Sequence, residues 1–208
     1  MYDVIPGILE KNWQEIEKKF EIIRPFSKFI HIDVIDGKFA PDASCLETEP
    51  FKKYADEFFM EVHLMVENPL AYIKKYADAG FKKFLGHIEK MENLEEFIAL
   101  GQIFGEVGIA VDSQTQVDSL TIPFEDIDTI LLMSVKAGKS GQEFLPQVLE
   151  KINQIRLKTS IPIEIDGGIN EQTIVDAKKS GAQRFVATSC IFNSKDPMES
   201  FEKLISLV

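Results

Sequence analysis

Eight short apolar runs, each followed by a stretch that carries polar residues on one face only, succeed one another along the 208 residues. The runs fall at 3–8, 28–34, 59–65, 83–87, 105–111, 129–135, 162–165 and 184–187, and are rich in β-branched and aromatic residues, as strands are. Helix-like stretches lie at 12–23, 49–54, 69–79, 94–100, 113–120, 146–157, 171–180 and 196–205. Several runs, notably Thr129-Ile-Leu-Leu-Met-Ser-Val135, are apolar on both alternating faces, the pattern of a parallel strand covered on two sides. Eight such units predict an α/β fold of the closed (β/α)8 TIM-barrel type, with an open doubly wound sheet as the rival. No G-x-G-x-x-G follows the first run, which weakens the dinucleotide-binding version of that rival. No Ser/Gly/Pro-rich linker interrupts the alternation, so one domain spanning 1–208 is expected.

Charge narrows the range of partners. With 23 Lys and Arg against 34 Asp and Glu, the formal charge is -11. A field of that sign repels nucleic acid and anionic lipid, and an anionic ligand would need a local device to be held. The longest run free of charge, 185–194, is only ten residues, far short of the about 20 that span a bilayer. Met1-Tyr-Asp-Val-Ile-Pro6 does not begin like a secretory signal, so a cytoplasmic protein is expected. Cys45 and Cys190 have no metal or disulfide spacing and read as free thiols.

In a (β/α)8 barrel, functional residues gather at the C-terminal ends of the strands. All three histidines are expected there: His31 in Phe29-Ile-His-Ile-Asp33, His63 in Glu61-Val-His-Leu-Met65, and His87 before Glu89. His31 and Asp33 are two apart on one strand, so both point to one face, the lumen of a barrel. His63 on the next strand and Asp166 at the end of the seventh would converge on the same space. Buried carboxylates need a cation or hydrogen-bond donors, and a divalent metal meets that need. Mixed nitrogen and oxygen ligation suits Zn, Fe, Mn or Co better than Ca or Mg. Met65 and Met133 read as core residues that could also form an apolar floor to such a site.

Two late segments have the makings of a phosphate site. In Asp166-Gly167-Gly168, the glycines let backbone N–H groups approach a ligand, and a helix opening near Asn170 adds its positive end. Thr188 and Ser189 follow the eighth strand, beside it, where barrels commonly hold phosphate. The loop Gly138-Lys-Ser-Gly141-Gln142 looks like part of a nucleotide-binding P-loop but lacks the first Gly of that motif, which rules out an NTPase reading. Gly138, Gly141 and Gln142 are expected to cover an anionic substrate, although its lysines equally suit a solvated surface loop.

Together, His31-Ile-Asp-Val-Ile-Asp-Gly37, Glu61-Val-His-Leu-Met-Val66, Met133-Ser-Val135 with Gly141-Gln-Glu-Phe144, Glu164-Ile-Asp-Gly-Gly168 and Val186-Ala-Thr-Ser-Cys-Ile-Phe192 resemble, in order, the motifs of the ribulose-phosphate 3-epimerases. The resemblance implies a ribulose-phosphate-binding barrel and an isomerase that inverts the carbon next to the carbonyl of a ketose phosphate. It implies one divalent metal ion held by His31, Asp33, His63 and Asp166, with Asp33 and Asp166 as the acid–base pair. Gly167, Gly168, Thr188 and Ser189 would hold the phosphate through backbone donors and hydroxyls, and the protein would form a homo-oligomer.

Departures from the family pattern concern the substrate. The usual Pro-Ser-Ile-Leu is Pro6-Gly7-Ile8-Leu9, without the hydroxyl expected to touch substrate. The usual Pro-Gly-Phe-Gly-Gly-Gln is Ala137-Gly-Lys-Ser-Gly-Gln142, and the usual Gly-Ser is Thr188-Ser189. The usual Met of Val-Met-Asp is Ile35, and Lys38 and Asp42 replace a His and an Asn in the motif that follows. Ribulose 5-phosphate and xylulose 5-phosphate are the default substrate pair. The alternatives are a hexulose phosphate such as allulose 6-phosphate, or a non-catalytic sugar-phosphate-binding protein. A decarboxylase of related fold would need an Asp-x-Lys-x-x-Asp motif, and Asp33-Val34-Ile35 has no Lys at its place.

Overall fold

The computed structural model describes residues 3–139 and 141–208. Its eight strands are β1 (Asp3–Ile8), β2 (Phe29–Ile35), β3 (Phe59–Met65), β4 (Lys83–His87), β5 (Glu106–Val111), β6 (Thr129–Met133), β7 (Ile163–Asp166) and β8 (Arg184–Ala187). All neighbours run parallel and in chain order, and β8 pairs back onto β1 from Asp3↔Arg184 to Pro6↔Ala187, which closes the barrel. The open-sheet rival is thereby excluded. Outside lie α1 (Trp13–Ile23), α2 (Leu70–Ala77), α3 (Leu94–Phe104), α4 (Gln147–Arg156), α5 (Glu171–Ser180), the short α6 (Ser189–Phe192) and α7 (Pro197–Ser206).

The helices start where the chain can satisfy their free N–H groups. Asn12, Asn93, Asn170 and Asp196 each accept from the first turn that follows. Their apolar stripes meet the outer faces of the strands, where Ile30, Ile32, Val34, Met60, Val62 and Leu64 belong to one continuous core with Phe20, Phe51 and Tyr76. The inner faces differ. Leu85, Ala110, Leu131 and Met133 form a small apolar group on β4 to β6, while β2, β3, β7, β8 and the two ends of β4 send His, Asp, Glu, Arg and Lys inward.

Three expectations need correction. Residues 113–120 form no α-helix; only a 3-10 turn, Val117–Ser119, links β5 to β6. Asp112 turns the chain there by accepting the Gln114 N–H, and Lys151 of α4 takes the carbonyls of Asp112 and Ser113, which a helix would have used internally. Residues 49–54 are a 3-10 helix rather than an α-helix, with Pro50 in its first turn and no side-chain cap. His31 and His63 do not close their strands: His31 is the third of seven residues in β2 and His63 the fifth of seven in β3, and only His87 is terminal. They still reach the site because barrel strands are staggered, so equal depth in the lumen is not equal position along the strand.

Strand ends otherwise move by a residue or two. β6 stops at Met133 because Ser134 turns onto the next strand, its N–H and hydroxyl both donating to the Asp166 carbonyl, at 2.8 and 3.0 Å. Cys45 and Cys190 are free thiols. Among the described residues no helix is long and apolar enough to cross a membrane.

Candidate active site

Period two along β2 puts His31 and Asp33 on the inner face, and the β2–β3 register sets Asp33 beside His63 and His31 beside Glu61. β7 delivers Asp166 from the other side, in register with Met133 on β6 and Val186 on β8. Asp33 Oδ1 lies 3.2 Å from His31 Nε2 and 2.9 Å from His63 Nδ1, and Asp166 Oδ2 lies 3.4 Å from the same His63 nitrogen. One ligand atom from each of the four residues falls within 4.8 Å of the others, and all four residues are buried. Two imidazole nitrogens and two carboxylate oxygens so close together suit a divalent transition metal or zinc.

Above the cluster a cavity opens at the C-terminal mouth of the barrel. Every residue expected at the site is here. Asp33, Asp166, Met65, Met133, Gly138, Gly141, Gln142, Gly167, Gly168, Thr188 and Ser189 all line the cavity, and His31 and His63 lie fully buried beneath it. Ser140 of the loop after β6 lies outside the described residues. Gln142 is occupied in holding its own loop, its amide donating to the carbonyls of Lys136 at 2.6 Å and Lys139 at 2.7 Å. Gly138 has φ +107° and abuts Ala40, which docks this loop on the chain after β2.

The two carboxylates are not equivalent. Burial pushes the Asp33 carboxyl up, but His31 and His63 outweigh it and hold the group well below the usual carboxylate range. Asp166 is raised, first by burial and then by the negative charge of Asp33, with the His63 hydrogen bond opposing. Burial lowers both His31 and His63, yet their carboxylate partners reverse this and leave both imidazoles raised. Of the two, Asp33 is thus the more readily ionised and Asp166 the more readily protonated.

Two networks support these residues, the first of which sequence reasoning missed. Below the site, Lys83 reaches Glu61 at 3.0 Å and Glu164 at 2.8 Å. Arg184 reaches the same two carboxylates at 3.0 and 2.8 Å and Asp3 at 3.1 Å, and His31 Nδ1 meets Glu61 at 2.7 Å. His31, Glu61 and Glu164 could by themselves cage a cation, but Lys83 and Arg184 already fill that role. Behind His63, its Nε2 lies 3.0 Å from His87 Nε2, and His87 Nδ1 lies 3.1 Å from Glu89. Glu89 also accepts the Thr115 hydroxyl and the Asp112 N–H. Period two would have marked Glu61 with His63 and Glu164 with Asp166, just as it joined His31 to Asp33.

Residues 3–192 match the ribulose-phosphate 3 epimerase family. The chain belongs to the ribulose-phosphate 3-epimerase family. It is 33% identical over 204 residues to the ribulose-phosphate 3-epimerase of Schizosaccharomyces pombe, covering 94% of this chain and 89% of that protein. The enzyme of the same name from Aquifex aeolicus is also 33% identical, over 98% of this chain and 95% of the relative. Membership makes the chain a sugar-phosphate epimerase, an enzyme of the isomerase class. The barrel itself is shared more widely. The 3-hexulose-6-phosphate synthase of Salmonella typhimurium superposes with TM-score 0.73 at 14% identity over 100% of this chain and 98% of that one. KGPDC of Streptococcus mutans gives 0.71 at 10% identity over 100% and 97%. At such identities the likeness is one of fold.

Proposed function

We propose that this epimerase inverts C3 of a ketose phosphate, interconverting ribulose 5-phosphate and xylulose 5-phosphate, by proton transfer between Asp33 and Asp166. The observation that carries this reading is the placement of two buried carboxylates, on β2 and β7, at the floor of one cavity with His63 Nδ1 between them. Inversion needs two groups. A single base returns the proton to the face it left, whereas a second carboxyl on the opposite face completes the inversion.

Asp33, the more readily ionised of the two, removes the C3 proton from one face, and Asp166 as the acid delivers a proton to the other; the reverse reaction exchanges the roles. His31, Asp33, His63 and Asp166 would hold one divalent ion, Zn, Fe, Mn or Co, which supplies positive charge against the enediolate oxygens. His31 and His63 keep Asp33 ionised and oriented. Met65 and Met133 line the cavity with apolar surface, which limits water around the reacting carbons. Gly167, Gly168 and Ser189 receive the phosphate, Thr188 lines the same substrate cavity, and the loop of Gly138, Gly141 and Gln142 covers the substrate. A hexulose phosphate is the second reading, favoured by Gly7 and by two parts of the cavity lining that depart from the family pattern, the rebuilt 137–142 loop and Thr188.

Proton NMR of C3 exchange in deuterated water, with ribulose 5-phosphate and hexulose phosphates in parallel, tests the reaction and names the substrate. Asp33→Asn and Asp166→Asn should each reduce epimerisation by more than about a thousandfold. Turnover retained in either variant would overturn the two-carboxylate mechanism.

A further inference from the structure

β1 passes between β8 and β2 with Gly7 in register with His31, and at Gly7 it offers the lumen no side chain. The space is not open. A Cβ built on Gly7 would lie 2.4 Å from Thr188 Oγ1 and 2.7 Å from Val186 Cγ1, closer than van der Waals contact allows. Two β-branched residues of the β8 segment thus lean across β1 into the volume that a side chain at position 7 would fill. Neither can swing aside freely, because branching at Cβ restricts χ1. Thr188 and Val186 both line the cavity that contains Asp33 and Asp166. The Thr188 hydroxyl makes no hydrogen bond among the described residues, so it faces the cavity with its donor and acceptor unused.

We infer that Thr188 is a substrate-positioning residue of the reacting end. Its hydroxyl, leaning over Gly7 toward the strand of His31 and Asp33, hydrogen-bonds an oxygen of the sugar near the carbon undergoing inversion, and not the phosphate. This inference rests on the epimerase reading above and deepens it. Glycine at 7 and threonine at 188 form one unit: the hydroxyl missing from β1 is supplied from β8, and the absent side chain at 7 is what makes room for it. A phosphate contact would instead direct Thr188 toward the backbone of Gly167 and Gly168, away from β1.

The test separates the hydroxyl from the packing. Thr188→Val keeps the shape and removes a hydroxyl without a protein partner, so the melting temperature should not fall, while kcat/KM for the substrate found by C3 exchange drops by about tenfold or more. Inhibition by inorganic phosphate should stay within about twofold of wild type in the same variant. Thr188→Gly should lose activity as well. Adding Gly7→Ser together with Val186→Ala, which clears the second contact, should recover most of the loss, because serine at 7 restores a hydroxyl to the vacated volume, and adding Gly7→Ala with Val186→Ala should not. Unchanged kcat/KM in Thr188→Val, weakened phosphate inhibition, or equal behaviour of the two triple variants would overturn the inference while leaving the epimerase reading in place. Wild-type protein that exchanges no ketose phosphate proton would overturn both.

Discussion

His63 faces the site with one ring nitrogen and the protein with the other. Its Nδ1 points at Asp33 and Asp166, while its Nε2 lies 3.0 Å from His87 Nε2, a distance at which one nitrogen must carry the hydrogen and the other must accept it. His87 is suited to accept. Burial lowers its imidazole and the neighbouring His63 lowers it further, so it stays neutral despite Glu89, and its Nδ1–H donates to that carboxylate. Glu89 is itself brought down to about 2; burial opposes this, but the bonds from His87, Thr115 and Asp112 prevail. A fixed acceptor at Nε2 leaves the Nδ1 lone pair of His63 for a metal. His87→Leu should therefore weaken metal binding by about ten- to a hundredfold, read by chelator competition, with His87→Gln falling less because its amide oxygen still accepts. Equal affinities in the two variants would show that the hydrogen on His63 needs no partner.

Among the elements, the turn from β7 into α5 places the Asp-Gly-Gly segment. Asn170 caps α5 and Thr173 returns the bond to the Asn170 N–H, a reciprocal pair that sets where the helix begins. The two residues that follow Asp166, Gly167 and Gly168, take φ of +117° and +61°. At Gly168 the reason is also one of space: a Cβ would come within 2.6 Å of the Phe144 backbone nitrogen, in the segment that follows the 138–142 loop. Gly168→Ala should destabilise the protein by about 1–3 kcal/mol, seen as a lower melting temperature, and raise KM by displacing that segment. An unchanged KM would separate the Phe144 segment from substrate binding. The double glycine and the helix start were legible in the sequence; the backbone pressed against them was not, because Phe144 is distant in the chain and reaches them only when β6 and β7 pair.

Across the whole molecule, the barrel holds its site on a buried ionic floor. Glu61, Lys83, Glu164 and Arg184 come from four strands, with Lys83 and Glu164 wholly buried, and His31 bridges this floor to Asp33. Burial raises the Glu164 carboxyl, but Lys83 and Arg184 overcome it and hold the group well below its ordinary 4.5. A carboxylate depressed in the folded state contributes stability above its unfolded pKa and loses it as pH falls through about 4.5 toward the folded value. Lys83→Met removes a cation and leaves two carboxylates short of a partner, a change of about 3–5 kcal/mol toward unfolding at neutral pH. The variant should also lose less of its remaining stability on acidification below about pH 4.5, since its Glu164 is less depressed; denaturant unfolding at several pH values measures both. Wild-type-like stability at pH 7 would show that Arg184 alone suffices.

Local rules along the chain were enough to set the order and kind of the strands, most of the helices, and the residues that face one another across the mouth. A period of two sends His31 and Asp33 inward together, and turns declare themselves through glycine. Other features took shape only in the closed barrel: residues 113–120 stay out of a helix, Lys83 and Arg184 neutralise Glu61 and Glu164, and Thr188 fills the place of a side chain at Gly7. Each of those depends on which inward positions of different strands arrive at the same depth. Depth in a closed barrel is set by the stagger of all eight strands together, and no single stretch of chain encodes it.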